Sequence, residues 1–180
     1  MMSRQRFALA AVVAGLALSS SAFAADGTIT FTGAITDTTC AVSVGGTGNA
    51  NATITLPTVQ TTSLPAVGAT AGTTPFDIVL SGCTGGTLNT ASTHFESGST
   101  VDSATGRLHN TSGSASGVQL QLLNASHGSI VAGGASQNDV PVSITSGTGT
   151  LSYYVQYYAN AGAVTSGSVG SYVDYSISYQ

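Results

Sequence analysis

Tyr172-Val173-Asp174-Tyr175-Ser176-Ile177-Ser178-Tyr179-Gln180 is the last stretch of the chain, and it alternates without a break. Val173, Tyr175, Ile177 and Tyr179 fall on one face, and Asp174, Ser176, Ser178 and Gln180 on the other. Successive side chains of a β-strand point to opposite faces of its sheet, so this pattern predicts a strand with one face against a core. No further strand follows Gln180. The expectation is a sheet whose last strand has no chain-order successor to pair with.

Working back from that end, other segments keep the period of two. Leu151, Tyr153, Val155 and Tyr157 alternate with Ser152, Tyr154, Gln156 and Tyr158. Val118, Leu120 and Leu122 alternate with Gln119 and Gln121, and Val140, Val142 and Ile144 form a shorter set. Phe76, Ile78 and Leu80 lead into Cys83. Residues 41–44 follow Cys40, and residues 53–56 read as one more strand, halted by Pro57. Residues 45–51, 63–74, 83–92 and 161–170 read as loops, as does 97–117 apart from a short strand near Leu108. β-Branched residues and Gly dominate, and Lys is absent. Many short strands between Gly/Ser/Thr/Asn turns predict an all-β, immunoglobulin-like sandwich. That fold normally closes with one more strand beside its penultimate one, so here it is an incomplete sandwich lacking its final strand.

The first 24 residues are not part of that fold. Arg4 and Arg6 precede an apolar run from Phe7 to Leu18, and Ala22-Phe23-Ala24 supplies a small-x-small exit. This is the layout of a secretory signal peptide, cut after Ala24. Its apolar run is shorter than the roughly 20 residues a permanent bilayer helix needs. Beyond it, Arg107 stands alone against Asp26, Asp37, Asp77, Glu96, Asp102, Asp139 and Asp174, which leaves a net charge of −6. One cation cannot neutralise a phosphate backbone, which excludes nucleic acid as a partner, and it cannot make a polybasic membrane contact. Cys40 and Cys83 are the two cysteines. An even count in an exported chain reads as a disulfide. Two free thiols or a metal pair are the alternative, and two Cys with no nearby His make a poor zinc site. Closing that loop stabilises by roughly 4 kcal/mol in the chain-entropy account.

A second alternating segment opens the mature chain. Ile29, Phe31, Gly33 and Ile35 share one parity, and Thr28, Thr30, Thr32 and Ala34 the other. Gly33 sits among bulky neighbours on the apolar face. It marks either a bulge or flexible spot, or a place where another backbone approaches closely.

Taken in order, these segments resemble the major subunits of chaperone–usher (type 1-like) fimbriae. Residues 27–35 are similar to that family's N-terminal extension, and Thr39-Cys40-Ala41-Val42 to its first-cysteine segment. Residues 76–83 resemble the second-cysteine strand, 117–123 the mid-chain strand, and 154–159 the strand before the last loop. Ile177-Ser178-Tyr179-Gln180 looks like the closing strand with its penultimate Tyr. The resemblance implies three parts: a signal peptide (1–24), a donor-strand extension (25–37) and an incomplete immunoglobulin-like domain (38–180). It implies a fimbrial (pilus) subunit exported through the periplasm to the cell surface. A periplasmic chaperone fills the missing strand temporarily. At an outer-membrane usher, the donor strand of the next subunit (Ile29, Phe31, Gly33, Ile35) replaces it. The receiving strand, in contact first with the chaperone, is the C-terminal one: Val173, Tyr175, Ile177, Tyr179 and Gln180. Gly33 would then seat where the groove is shallow.

Physical argument supports that logic. An open sheet edge is aggregation-prone and has to be covered. Residues 27–35 would extend about 30 Å, and burying Ile29, Phe31 and Ile35 would contribute on the order of 1.5–3 kcal/mol each. Only a few residues separate Ile35 from Cys40, too short a tether to carry the strand across its own domain. Donation is therefore expected to run to a neighbouring copy, head to tail; self-complementation stays open as the alternative.

No enzyme is expected, and no catalytic residue, cofactor or metal is nominated. His94, His109 and His127 lie scattered among loop residues without metal-ligand spacing, and the acids are dispersed. Gly113-Ser114-Ala115-Ser116-Gly117 carries Ala at the centre, so the nucleophile-elbow pattern fails. Tyr153, Tyr154, Tyr157 and Tyr158 leave a second reading, a minor or adhesive pilin with a carbohydrate or receptor site, although alternation on one strand suits core and surface equally well.

Overall fold

The computed structural model describes residues 29–33, 35, 39–85 and 89–180. The leader, together with Gly27, Thr28 and Ala34 of the N-terminal segment, lies outside them. The chain falls into two units, Met1–Ala34 and Ile35–Gln180. In the first, the described residues carry no helix or strand.

The second unit is all-β. Its strands are β1 (Thr39–Val44), β2 (Thr70–Thr84), β3 (Thr90–Phe95), β4 (Leu108–His109), β5 (Val118–Asn124), β6 (Val142–Ser143), β7 (Gly149–Ala159) and β8 (Tyr175–Tyr179), with one 3-10 turn at Thr61–Ser63. Two sheets form, in the orders β1-β2-β7-β5-β4 and β6-β3-β8, and every described pairing is antiparallel. No helix among the described residues is long and apolar enough to cross a membrane.

The alternating residues meet between the sheets. Ile78 and Leu80 of β2, Leu120 and Leu122 of β5, and Leu151, Tyr153 and Val155 of β7 face Ala91 and Phe95 of β3 in one buried cluster. Phe95 meets the Tyr153 ring edge to face, with centroids 5.1 Å apart, an arrangement the aromatic quadrupoles favour. The Tyr153 hydroxyl, carried into this core, donates to Asp139 Oδ1 at 2.7 Å.

Three expectations change. Residues 63–74 are not all loop, because β2 already runs from Thr70. Its register against β7 slips by one residue between Ala71 and Thr74. Gly72, at φ +66° beside the Tyr157 ring, supplies the left-handed backbone of this bulge. The bulge switches the inward parity from Ala71 to Phe76, Ile78 and Leu80, so a single-period reading loses the first part of the strand. Pro75 is tolerated because β1 pairs with β2 only from Ile78 onward, leaving one side of β2 free there. Within 83–92, Cys83 and Thr84 end β2 and residues 90–92 belong to β3, whose first inward positions, Ala91 and Thr93, are too small and polar to register as an apolar stripe. Residues 53–56 are not a strand, although Ile54 and Leu56 pack on the core, because no other strand lies beside them.

Cys40 and Cys83 are joined, which staples the edge strand β1 to β2. Replacing both by Ser is expected to cost about 2–5 kcal/mol, read as a lowered urea midpoint that reductant no longer affects. Burial holds the Tyr153 phenol well above its ordinary range, and the neighbouring Asp139 carboxylate adds to the shift. The folded state thus keeps a proton that the unfolded chain releases near pH 10. Stability should be full below about pH 10 and fall above it. Urea midpoints between pH 7 and 11 should fall less steeply for Tyr153→Phe.

Candidate functional site

β8 has β3 on one side and no strand on the other. The residues before it continue the same face pattern: Val173, Tyr175, Ile177 and Tyr179 pack half-buried on the core, while Asp174, Ser176, Ser178 and Gln180 are exposed. Gln180 is held in register, its amide donating to Thr90 O at 2.9 Å and its carbonyl accepting from Thr90 Oγ1 at 2.9 Å. Of the five residues nominated at this end, Val173 and Tyr175 line the hollow between this edge and residues 51–59, while Ile177, Tyr179 and Gln180 lie farther along β8, outside it.

Across from that edge runs residues 51–59. Among the described residues, nothing makes a backbone hydrogen bond to this segment. Unpaired backbone groups are strong donors and acceptors awaiting partners. The two segments wall a hollow of about 480 Å³, with Ile54 and Leu56 on one side and Ser171, Val173 and Tyr175 on the other. Its floor is the core itself: Phe76, Ile78, Phe95, Leu120, Leu122 and Val155. A second hollow of about 560 Å³ continues the line, between Val59–Thr62 and Val164–Val169, over Val118 and Tyr157. As one wall ascends from 50 to 62 the other descends from 175 to 164, so the walls are antiparallel and the hollows lie end to end. Residues 165–170 use their far edge on the loop 111–116, with Ala115 N–H donating to Ser168 O at 3.0 Å and Thr165 N–H to Ser116 O at 3.1 Å. Their near edge faces the groove.

Two polar features mark the first hollow. The Tyr175 hydroxyl reaches across to donate to Ala50 O at 2.8 Å. Burial raises its pKa, so it is a neutral donor at physiological pH. Ser171 Oγ is shut off from solvent without a partner, a small polar notch in a row that otherwise reads Val169, Val173, Tyr175.

At the other end of the sequence, Ile29 is 80%, Phe31 87% and Ile35 fully exposed, with no strand assigned. A side chain added at Gly33 would meet nothing within 4 Å. The apolar row predicted there is thus present and unburied within this chain.

The tyrosines divide by parity. Tyr153 and Tyr157 face inward. Tyr154 faces out beneath the His127 ring, 4.2 Å away, and Tyr158 lies under the Arg107 guanidinium at 4.0 Å. Both outward rings already have a stacking neighbour. Among the described residues no three His, Cys, Asp or Glu converge in a metal-binding group.

Sequence reasoning located the β8 wall and missed most of the other. The available signal was residues 53–56, an alternating run with no hairpin partner nearby. An orphan strand of this kind is what an unfinished sheet leaves behind.

An open-edged, antiparallel two-sheet sandwich is the architecture of pilus subunits. The structure resembles the P pilus rod subunit PapA (TM-score 0.60, 21% identity, covering 78% of this chain and 99% of that one). It also resembles a type I fimbria protein of Burkholderia pseudomallei (TM-score 0.54, 26% identity, 81% and 99% covered). In sequence, the chain is 45% identical over 164 residues to the major fimbrial subunit SMF-1 of Stenotrophomonas maltophilia, covering 87% of this chain and 94% of that protein. It is 43% identical to the F17 fimbrial protein of Escherichia coli, with 91% and 93% covered. Residues 56–180 match the family of the type-1 fimbrial protein, A. The chain belongs to that family, and its role is that of a structural fimbrial subunit.

Proposed function

We propose that this subunit builds a surface fimbria by donor-strand exchange, each copy lending residues 25–37 to the groove of the next. The observation that carries the reading is the groove itself: two antiparallel walls whose facing edges lack strand partners among the described residues, over an apolar floor. A third strand laid between them would supply backbone partners to residues 51–59 and to β8, and apolar side chains to the floor. Ile29, Phe31 and Ile35 present such side chains at alternate positions and are exposed in their own chain. Strand addition of this type gains affinity from main-chain bonds and specificity from pockets for alternate side chains; donor-strand complementation in pilins is one of its established instances.

Direction follows from covalent geometry. The donor row ends at Ile35, five residues before Cys40, and Cys40 is tied to the body by its disulfide. Five extended residues reach about 17 Å, which favours a neighbour's groove over the chain's own. A contact between two different surfaces does not close on itself, so it propagates as a thread. Before assembly, the same groove requires a temporary occupant, the role we assign to a periplasmic chaperone. An outer-membrane usher then provides the site of exchange and the route to the cell surface.

Deleting residues 25–35 should leave a subunit that is exported to the periplasm but absent from surface threads in electron micrographs. Normal-length threads from that deletion would end the donor assignment. Gly33→Leu should slow assembly, measured as the rate at which a peptide of residues 26–36 carrying the change enters chaperone-bound subunits. An unchanged rate would remove Gly33 from the mechanism.

A further inference from the structure

Two backbone edges of the three-stranded sheet differ in their surroundings. Among the described residues β8 has no strand beyond it, and its first residue, Tyr175, lines the groove. β3, at the other side, has only the two-residue strand β6 beside it, paired at Thr90–Ser143 and Ala91–Val142. Beyond Ala91 the remaining backbone of β3 is as capable of pairing as that of β8. It is covered instead by the segment that leads into β6, mostly through side chains. The Gln137 amide takes both groups of one residue: Phe95 N–H donates to its Oε1 at 2.8 Å, and its Nε2 donates to Phe95 O at 2.7 Å. Phe95 O also accepts from Gly133 N–H at 2.9 Å. Two residues along, Thr93 N–H donates to Asp139 Oδ2 at 2.8 Å. Gln137 thus reproduces with one side chain both bonds an antiparallel strand would make at Phe95, and Asp139 takes the N–H that such a strand would bond at Thr93.

The strap is built to stay. Gln137 is 5% exposed. Asn138, between the two, adopts φ +62°, the left-handed conformation that Asn tolerates better than most residues. It is held from both sides: Asn124 Nδ2 donates to its carbonyl at 2.9 Å, and its own Nδ2 donates to Ser129 O at 3.2 Å. The second oxygen of Asp139 is bound by the Tyr153 hydroxyl from the core. None of these bonds extends to the groove; they serve the side of β3 that faces away from β8.

We propose that Gln137 and Asp139 determine which edge of the sheet accepts a strand, by occupying the β3 backbone sites that a second donor, or a neighbouring thread, would otherwise pair with. The proposal rests on the donor-strand reading of the groove. Natural sheets guard exposed edges against uncontrolled pairing in several ways. Here a chain whose assembly depends on strand addition has to keep one edge receptive and the other refractory.

Gln137→Met keeps the length and packing of the side chain and removes both bonds to Phe95. Fibres of this variant, taken from the host cell, should show the Phe95 amide exchanging with deuterium about tenfold faster than in the unaltered fibre. Electron micrographs should show threads associating side to side. Unchanged exchange with single threads would overturn the proposal. So would faster exchange with single threads, since an edge that recruits nothing when freed was not being guarded. If Gln137→Met is not exported, Asp139→Asn is read in the same way at Thr93; Asn offers one acceptor oxygen to two donors, Thr93 N–H and Tyr153 OH. Failure of the underlying reading is separate: there the unaltered chain itself would form threads that survive deletion of residues 25–35.

Discussion

Backbone hydrogen bonding governs this molecule more than any side-chain constellation. A sheet strand carries donors and acceptors on both edges, and a buried one must find partners for both. In the five-stranded sheet each strand from β1 to β4 is paired to its neighbour, with register shifts only near Cys40 and at Gly72. In the smaller sheet the pairing stops at β8, and across the gap residues 51–59 have no backbone hydrogen bond among the described residues. The floor between them is made of residues that belong to the main core, including Phe95 and Ile78. The same deficit is polar at the rim and apolar at the base. In the proposed assembly a donated strand with alternating side chains answers both at once.

The disulfide and the parity of the sheets are arranged around that deficit. Cys40–Cys83 fixes the start of β1 against the far end of β2, so the body does not depend on the gap being filled to hold its edge strand. Inward residues of β2, β5 and β7 are packed against β3 within the single chain. The fold therefore separates a core that is already satisfied from a margin that is not.

Much of this was legible in the residues. Period-two runs located β5, β7 and most of β8, and the even cysteine count predicted the bridge that joins β1 to β2. The reading failed where the physical signal changes form. Gly72 and Pro75 interrupt β2 with a bulge, so no single alternation spans it. β3 faces the core with Ala91 and Thr93, residues whose burial follows from their neighbours and not from their own hydropathy. The wall at residues 51–59 looked like a strand and is one in side-chain pattern only, because strand assignment requires a partner. Gln137 and Asp139 carried no sequence signal at all: a polar pair in a turn has no period, and its role comes from where the turn is laid.

The Gly72 bulge also sets what a change of length would do in this sequence. Ala71 pairs with Tyr157 and Thr74 with Val155, so Gly72 and Thr73 stand opposite Gln156 alone. Losing one of those two would turn the bulge into plain pleat: Ala71, Thr74 and Phe76 would keep facing inward, and the strand would give up only the bend and extra twist of the surplus residue. Gaining or losing a residue between Phe76 and Leu80, where the pairing with β7 is regular, would instead turn one side of the strand over and carry Asp77 toward the interior. Tolerance to a change of length along β2 is therefore uneven, and greatest where the strand already carries a spare residue.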